Sequence, residues 1–225
     1  MRHAAIRRCA ITLLGAVILT LISNPAMSQP RSVDAEPILE LHVIVHAAVD
    51  AANLDVARKT ARGLLAASRI DIEWIDCSHL GAACASDSGA SMIVIVLLLP
   101  LTKAADATVS GEAIRNLAAP GRTMLVYVPR LAELIDTIHR SVSGRSNPAL
   151  ATAQTGHLIG LTIAHEVGHA LGLQHVPTGV MKARPGIADI LDLRASRLTF
   201  TPEQATIMRT AIRAGTWSVD GSRQP

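Results

Sequence analysis

Residues 29–225 read as one α+β domain, and three observations lead there. Short strand-like runs, alternating or continuously apolar, recur at Ile38–Val45, 70–75, Met92–Leu99 and 123–128. A helix-patterned run separates the first two, which makes a β-α-β unit that should cross over right-handed. Two further helical runs with recognisable start signals fill the C-terminal half.

Ile38–Val45 alternates and is rich in Leu, Val and Ile. Asp50 or Asn53 can start a helix that runs to about residue 67, its Ala, Leu and Val spaced for one buried face. Residues 70–75 read Ile-Asp-Ile-Glu-Trp-Ile, a half-buried strand. Residues 81–91 are small and polar, a loop. Met92–Leu99 is continuously apolar, as a fully buried strand would be, and Pro100 ends it. Residues 103–110 form a loop. Residues 112–118 fit either a short edge strand or a helical turn, followed by the punctuation Ala119-Pro120-Gly121. Residues 123–128 are a strand and 131–139 carry helical spacing. After the polar linker 141–148, Asn147-Pro148 reads as an N-cap and first turn. That helix should reach about residue 171, apolar on most sides through Leu158, Ile159, Leu161 and Ile163. Gly160 and Gly168 lower its propensity by about 1 kcal/mol each, which close packing against the sheet would offset. Residues 184–197 look irregular. Thr201-Pro202-Glu203-Gln204 is a capping-box start, and Ala205, Ile207, Met208, Ala211 and Ile212 follow at core spacing up to residue 214. No internal repeat or low-complexity segment interrupts this order.

The N-terminus reads as a targeting segment. Arg2, Arg7 and Arg8 precede an apolar run from Ala10 to Ile22, and Ala26-Met27-Ser28 is a small-x-small cleavage site. Residues 1–28 are therefore expected to be a signal peptide, with an uncleaved anchor as the alternative, and Cys9 leaves with it. The whole chain carries 21 basic and 18 acidic side chains, a net charge of +3. The three arginines of the segment account for that excess, so residues 29–225 are formally neutral. Nothing points to nucleic acid or to an anionic membrane surface. With 49% hydrophobic residues this part can bury one domain's core. Aromatic residues make up only 2%, so aliphatic side chains must fill it, and a stacking platform for sugars or bases is disfavoured. In an exported chain the remaining cysteines, Cys77 and Cys84, are expected to form a disulfide; metal binding by the pair with His79 is the lesser reading.

The chemistry is concentrated in His165-Glu166-Val167-Gly168-His169-Ala170-Leu171-Gly172-Leu173-Gln174-His175. Residues four apart share a helix face, so His165 and His169 can point at one ion. Gly172 offers the backbone freedom to end the helix and turn, which returns His175 as a third ligand. Three neutral imidazoles plus water make the open shell of a catalytic zinc, and Glu166 can sit beside that water as general base. His42, His46, His79, His139 and His157 have no partner at ligand spacing.

This eleven-residue pattern resembles the metzincin clan of zinc endopeptidases and is similar to small bacterial matrixin-like proteases. That clan carries a methionine on a tight turn beneath the metal, and Gly179-Val180-Met181 matches it. The resemblance implies a zincin with a twisted mixed sheet, two main helices before the zinc turn and a C-terminal helix. It implies one catalytic domain over 29–225, an upper part 29–172 and a small lower part 173–225 with a cleft between. Zn2+ would be held by His165, His169 and His175, Glu166 would be catalytic, and Gly172 and Met181 would support. A peptide or protein substrate would lie extended along an edge strand, for which 112–118 is the candidate, with residues 176–185 walling the pocket. The protein would be a monomer, secreted or periplasmic, without stable membrane association after signal cleavage. The chain departs from better-known members: the step from His175 to Met181 is short, Lys182 follows Met181, Val176 follows the third histidine, and the single tyrosine is Tyr127. No propeptide and no upstream cysteine to cap the zinc are expected. Two other classes compete: a catalytically inactive binding protein on the same scaffold, and a hydrolase of non-peptide amides.

Overall fold

Caps and periodicity set the element boundaries in the computed structural model, which describes residues 38–78, 84, 92–100, 110–114 and 122–215. These residues fall in one compact unit, Glu36–Pro225. The expected signal segment, His79, most of the loops around Cys84 and before residue 110, and residues 115–121 lie outside them. The order is β1 (Ile38–Val45), α1 (Ala51–Ala66), β2 (Asp71–Asp76), β3 (Met92–Leu99), β4 (Gly111–Ile114), β5 (Arg122–Tyr127), α2 (Val128–Ser143), α3 (Pro148–Ala170), α4 (Ile187–Arg194) and α5 (Pro202–Ala214).

The chain is α+β with a five-stranded mixed sheet, ordered β2-β1-β3-β5-β4. β1, β2, β3 and β5 run parallel, and β4 pairs antiparallel with β5 at one edge. The undecided segment 112–118 is thus an edge strand as far as residue 114. β3 alternates buried and half-buried positions rather than being enclosed on both faces. Registered side chains form the core layer: Leu41 beside Val94 and Val43 beside Val96, then Val96 beside Met124 and Leu98 beside Val126. Ala57, Ala61 and Leu65 of α1 and Ile159 and Ile163 of α3 complete that core. Cys77 and Cys84 are joined as a disulfide, with Cα atoms 5.7 Å apart. Among the described residues no helix is long and apolar enough to cross a membrane.

Several expectations need correction. Three helices, not two, precede the turn after α3, because the 131–139 run extends over Val128–Ser143. Pro129 fits the first turn of that helix, where its missing N–H costs nothing, and Gly144 closes it at φ 67°. Residues 184–197 are not irregular: α4 occupies Ile187–Arg194. Its first turn is held by Asp189, whose carboxylate accepts the Gly186 N–H at 2.7 Å and pairs with Lys182 Nζ at 2.6 Å. An eight-residue helix that starts on glycine shows too little periodicity to be read. In α5, Ile207 faces outward at 49% exposure, because Ala205, Met208 and Ile212 form the buried stripe.

The glycines of α3 have a different cause from the one expected. A Cβ at Gly160 would come within 2.5 Å of the Ala57 carbonyl oxygen, so α3 packs backbone-close against α1, not against the sheet. Gly156 makes the same approach to the Asn53 carbonyl. Buried Asn53 clamps this crossing: its Oδ1 accepts the Gly156 N–H at 2.8 Å, and its Nδ2 donates to the Thr152 carbonyl at 3.0 Å. Asp50 caps α1 by accepting the Asn53 N–H at 2.7 Å. Asn147 caps α3 by accepting from Leu150 N–H at 3.0 Å, and Asp136 steadies it by accepting the Asn147 N–H at 2.8 Å.

Two alanine substitutions should therefore have opposite signs. Gly160→Ala forces a methyl into the α1 backbone and should destabilise by about 1–3 kcal/mol. Gly63→Ala, where a Cβ meets nothing within 4 Å, should stabilise by about 0.5–1 kcal/mol. Denaturant titrations of the two variants against the parent chain check both.

Candidate metal centre

The end of α3 decides where the motif residues go. The Leu173 N–H donates to the Gly168 carbonyl at 2.9 Å, and the Gly172 N–H to the His169 carbonyl at 3.1 Å. This is the Schellman pattern, and it requires a left-handed residue at Gly172, found at φ 97°. The chain reverses there and brings His175 back to α3.

The three ring Nε2 atoms converge. His165 and His169 are 3.0 Å apart, His169 and His175 3.0 Å, and His165 and His175 3.2 Å. The opposite ring nitrogens identify the tautomers. His165 Nδ1 lies 2.8 Å from the Val180 carbonyl oxygen, and His169 Nδ1 2.9 Å from that of Leu173. A carbonyl only accepts, so each Nδ1 carries the hydrogen. Burial holds the His165 pKa down to about 4 and lowers that of His169, so both rings are neutral near pH 7. Their Nε2 atoms then face each other as bare lone pairs, an arrangement that a cation between them relieves. Among the described residues, this is the one group of three His, Cys, Asp or Glu side chains whose ligand atoms lie within 4.8 Å of one another. The three histidines can hold a metal ion.

The segment after His175 packs back onto α3. Met181 is fully buried, and its thioether lies where a Cβ on Gly168 would have to go, with Met181 Cε 3.2 Å and Leu173 Cδ1 3.3 Å from that position. Gly168 is the gap in α3 that lets the methionine close onto the helix. The Val176 N–H closes the loop onto the Met181 carbonyl at 3.0 Å. Gly179, at φ 78°, passes so close to the Thr199 carbonyl that a Cβ would lie 2.9 Å from it.

Glu166 follows His165 and is buried at 6% exposure under β4. The Ala113 N–H donates to its carboxylate, and a Cβ on Gly111 would stand 2.9 Å from its Oε1. Burial, with a smaller contribution from Glu112, pushes its pKa up to about 8. The remaining described histidines are elsewhere engaged or exposed. His42 lies 3.0 Å from Glu40, His139 3.3 Å from Gln154 and His157 3.3 Å from Thr60, while His46 is exposed.

Sequence reasoning missed the Leu173 and Val180 carbonyls that orient the rings, because main-chain groups leave no trace in residue type. It also missed the contact of Gly111 and Ala113 with Glu166, which joins segments far apart in the chain. No family model, curated protein or solved structure matches the chain.

The purified protein should bind one divalent cation per chain, stripped by a chelator. His165→Ala, His169→Ala and His175→Ala should each weaken binding by at least the ~10–100-fold typical of losing a mere orienting partner. Chelator competition and metal analysis check this. Met181→Leu, a near volume-conserving change, should cost less than ~1.5 kcal/mol in stability and leave metal content unchanged.

Proposed function

We propose that this protein is an exported, zinc-dependent endopeptidase of the metzincin type. The observation that carries the reading is the convergence of three imidazole Nε2 atoms, two of them bare, beside a sequence-adjacent carboxylate buried under the β4 edge. Nitrogens 3.0–3.2 Å apart surround a point about 2 Å from each, which fits the Zn–N distance of about 2.0–2.1 Å. Three protein ligands leave a fourth position open, the signature of catalytic rather than structural sites. The cysteine pair, bonded as a disulfide, suits an oxidising compartment and so favours export.

When bound, zinc supplies Lewis acidity and lowers the pKa of a coordinated water from about 15.7 toward 7. The rest of the chemistry belongs to the chain. Glu166 takes the proton from the attacking water and delivers it to the departing amine, a transfer worth typically ~10²–10⁴-fold. Burial raises its carboxyl while a neighbouring cation would favour the carboxylate, and opposing pulls of this kind poise a base near neutral pH. The Ala113 N–H holds the carboxylate, so the base enters the reaction already oriented.

The substrate would lie along the side of β4 away from β5. Among the described residues β4 ends the sheet there, so an extended peptide can add through its main-chain groups other than the Ala113 N–H, which Glu166 holds. The loop after His175 would line the far side.

Glu166→Gln should keep metal and fold but lose peptide hydrolysis by ~10²-fold or more. Mass-spectrometric digestion of an unbiased peptide library, alongside metal analysis, tests it. Retained metal with undiminished cleavage in that variant would refute the assignment.

A further inference from the structure

The hydrogen-bond phase of β4 determines which of its groups meet an added strand. The Tyr127 N–H donates to the Ser110 carbonyl at 2.9 Å, and Gly111 registers with Val126. Hydrogen-bonded and non-hydrogen-bonded pairs alternate in an antiparallel ladder. Glu112 opposite Leu125 is therefore bonded to β5, while the main-chain groups of Gly111 and Ala113 point away from β5, the Ala113 N–H into the Glu166 carboxylate. The Ala113 N–H reaching the Glu166 carboxylate agrees with that phase. A strand laid along this edge thus runs beside Glu166.

Side chains alternate between the two faces of β4. A Cβ on Gly111 would strike Thr162 and Glu166 of α3, so Gly111 and Ala113 face that helix. Glu112 stands on the other face, exposed, and has no ion-pair partner among the described residues. Its cross-strand neighbour on that face is Leu125, with Thr123 and Tyr127 diagonal to it, and none of these is a cation. Its field is felt across the strand pair at Tyr127, which it pushes upward after burial has done so.

We propose that Glu112 is a specificity-determining residue that selects a basic side chain, lysine or arginine, at the substrate residue directly opposite it on the open edge of β4. The assignment rests on the endopeptidase reading above. The residue opposite Glu112 would project on the same face with Cβ atoms about 4.5–5.5 Å away, close enough for opposite charges to attract and like charges to repel. In antiparallel addition this is a non-hydrogen-bonded position, where side chains approach most closely.

The test is cleavage-site profiling with the metal-loaded full chain on a proteome-derived peptide library, followed by kcat/KM on matched peptides carrying Lys, Gln or Glu at the selected position. Parent protein, Glu112→Gln and Glu112→Lys are compared. The parent should favour Lys or Arg over Gln at one position by about two- to five-fold, the range of single cross-strand charge pairs. Glu112→Gln should bring that ratio to about one, and Glu112→Lys should reverse it toward Glu, with preferences elsewhere in the peptide unmoved. Cleavage with no charge preference in the parent, or with the same preference in all three proteins, overturns the role of Glu112 and leaves the endopeptidase reading standing. A metal-loaded parent that cleaves no peptide overturns both.

Discussion

Two hydrogen bonds from imidazole N–H groups to main-chain carbonyls govern this molecule's candidate site. His165 is tied to Val180 and His169 to Leu173, and through them the rings of one helix are oriented by the chain that follows it. Both bonds require the reversal at Gly172 and the approach of Met181 to Gly168. The ring tautomers, the exposure of bare Nε2 atoms and the place of His175 all follow. A break at either glycine would disperse the nitrogens even with every histidine present.

The second constraint is the position of α3 itself. Its glycines let it lie against the α1 backbone, and the Asn53 amide pins the crossing where the helix enters the core. At its other end Glu166 is fitted beneath β4, where Gly111 leaves room. The helix is thus held by α1 at one end and by a sheet edge at the other. That arrangement sets the Glu166 carboxylate beside the sheet edge formed by β4.

Much of this was legible in residue order. Strong strand periods and well-formed caps placed β1, α1, β3, α3 and α5 within a residue or two, because Asp50, Asn147 and Thr201 each present a side-chain acceptor to a helix start. The spacing of His165, His169 and His175 announced their convergence, since helix geometry and one glycine turn suffice to bring them together. α4 stayed hidden because its stability comes from Asp189 and its ties to Gly186 and Lys182, not from amphipathic repetition. The reason for Gly160 and the neighbours of Glu166 were out of reach, because each depends on contacts between elements distant in sequence. The family resemblance itself stands on the motif and the methionine turn, with the mixed sheet in keeping at the level of fold class.

The ligands and their orienting carbonyls span only residues 165–180. A cation there would close a loop of ten residues between its outermost ligands, and the Schellman turn already closes most of it. The entropy such a closure withholds from the unfolded chain grows only slowly with loop length, so a short and pre-closed loop gives little leverage. Binding would therefore behave as the docking of cargo into a pocket already built, and loss of the ion would leave the scaffold upright.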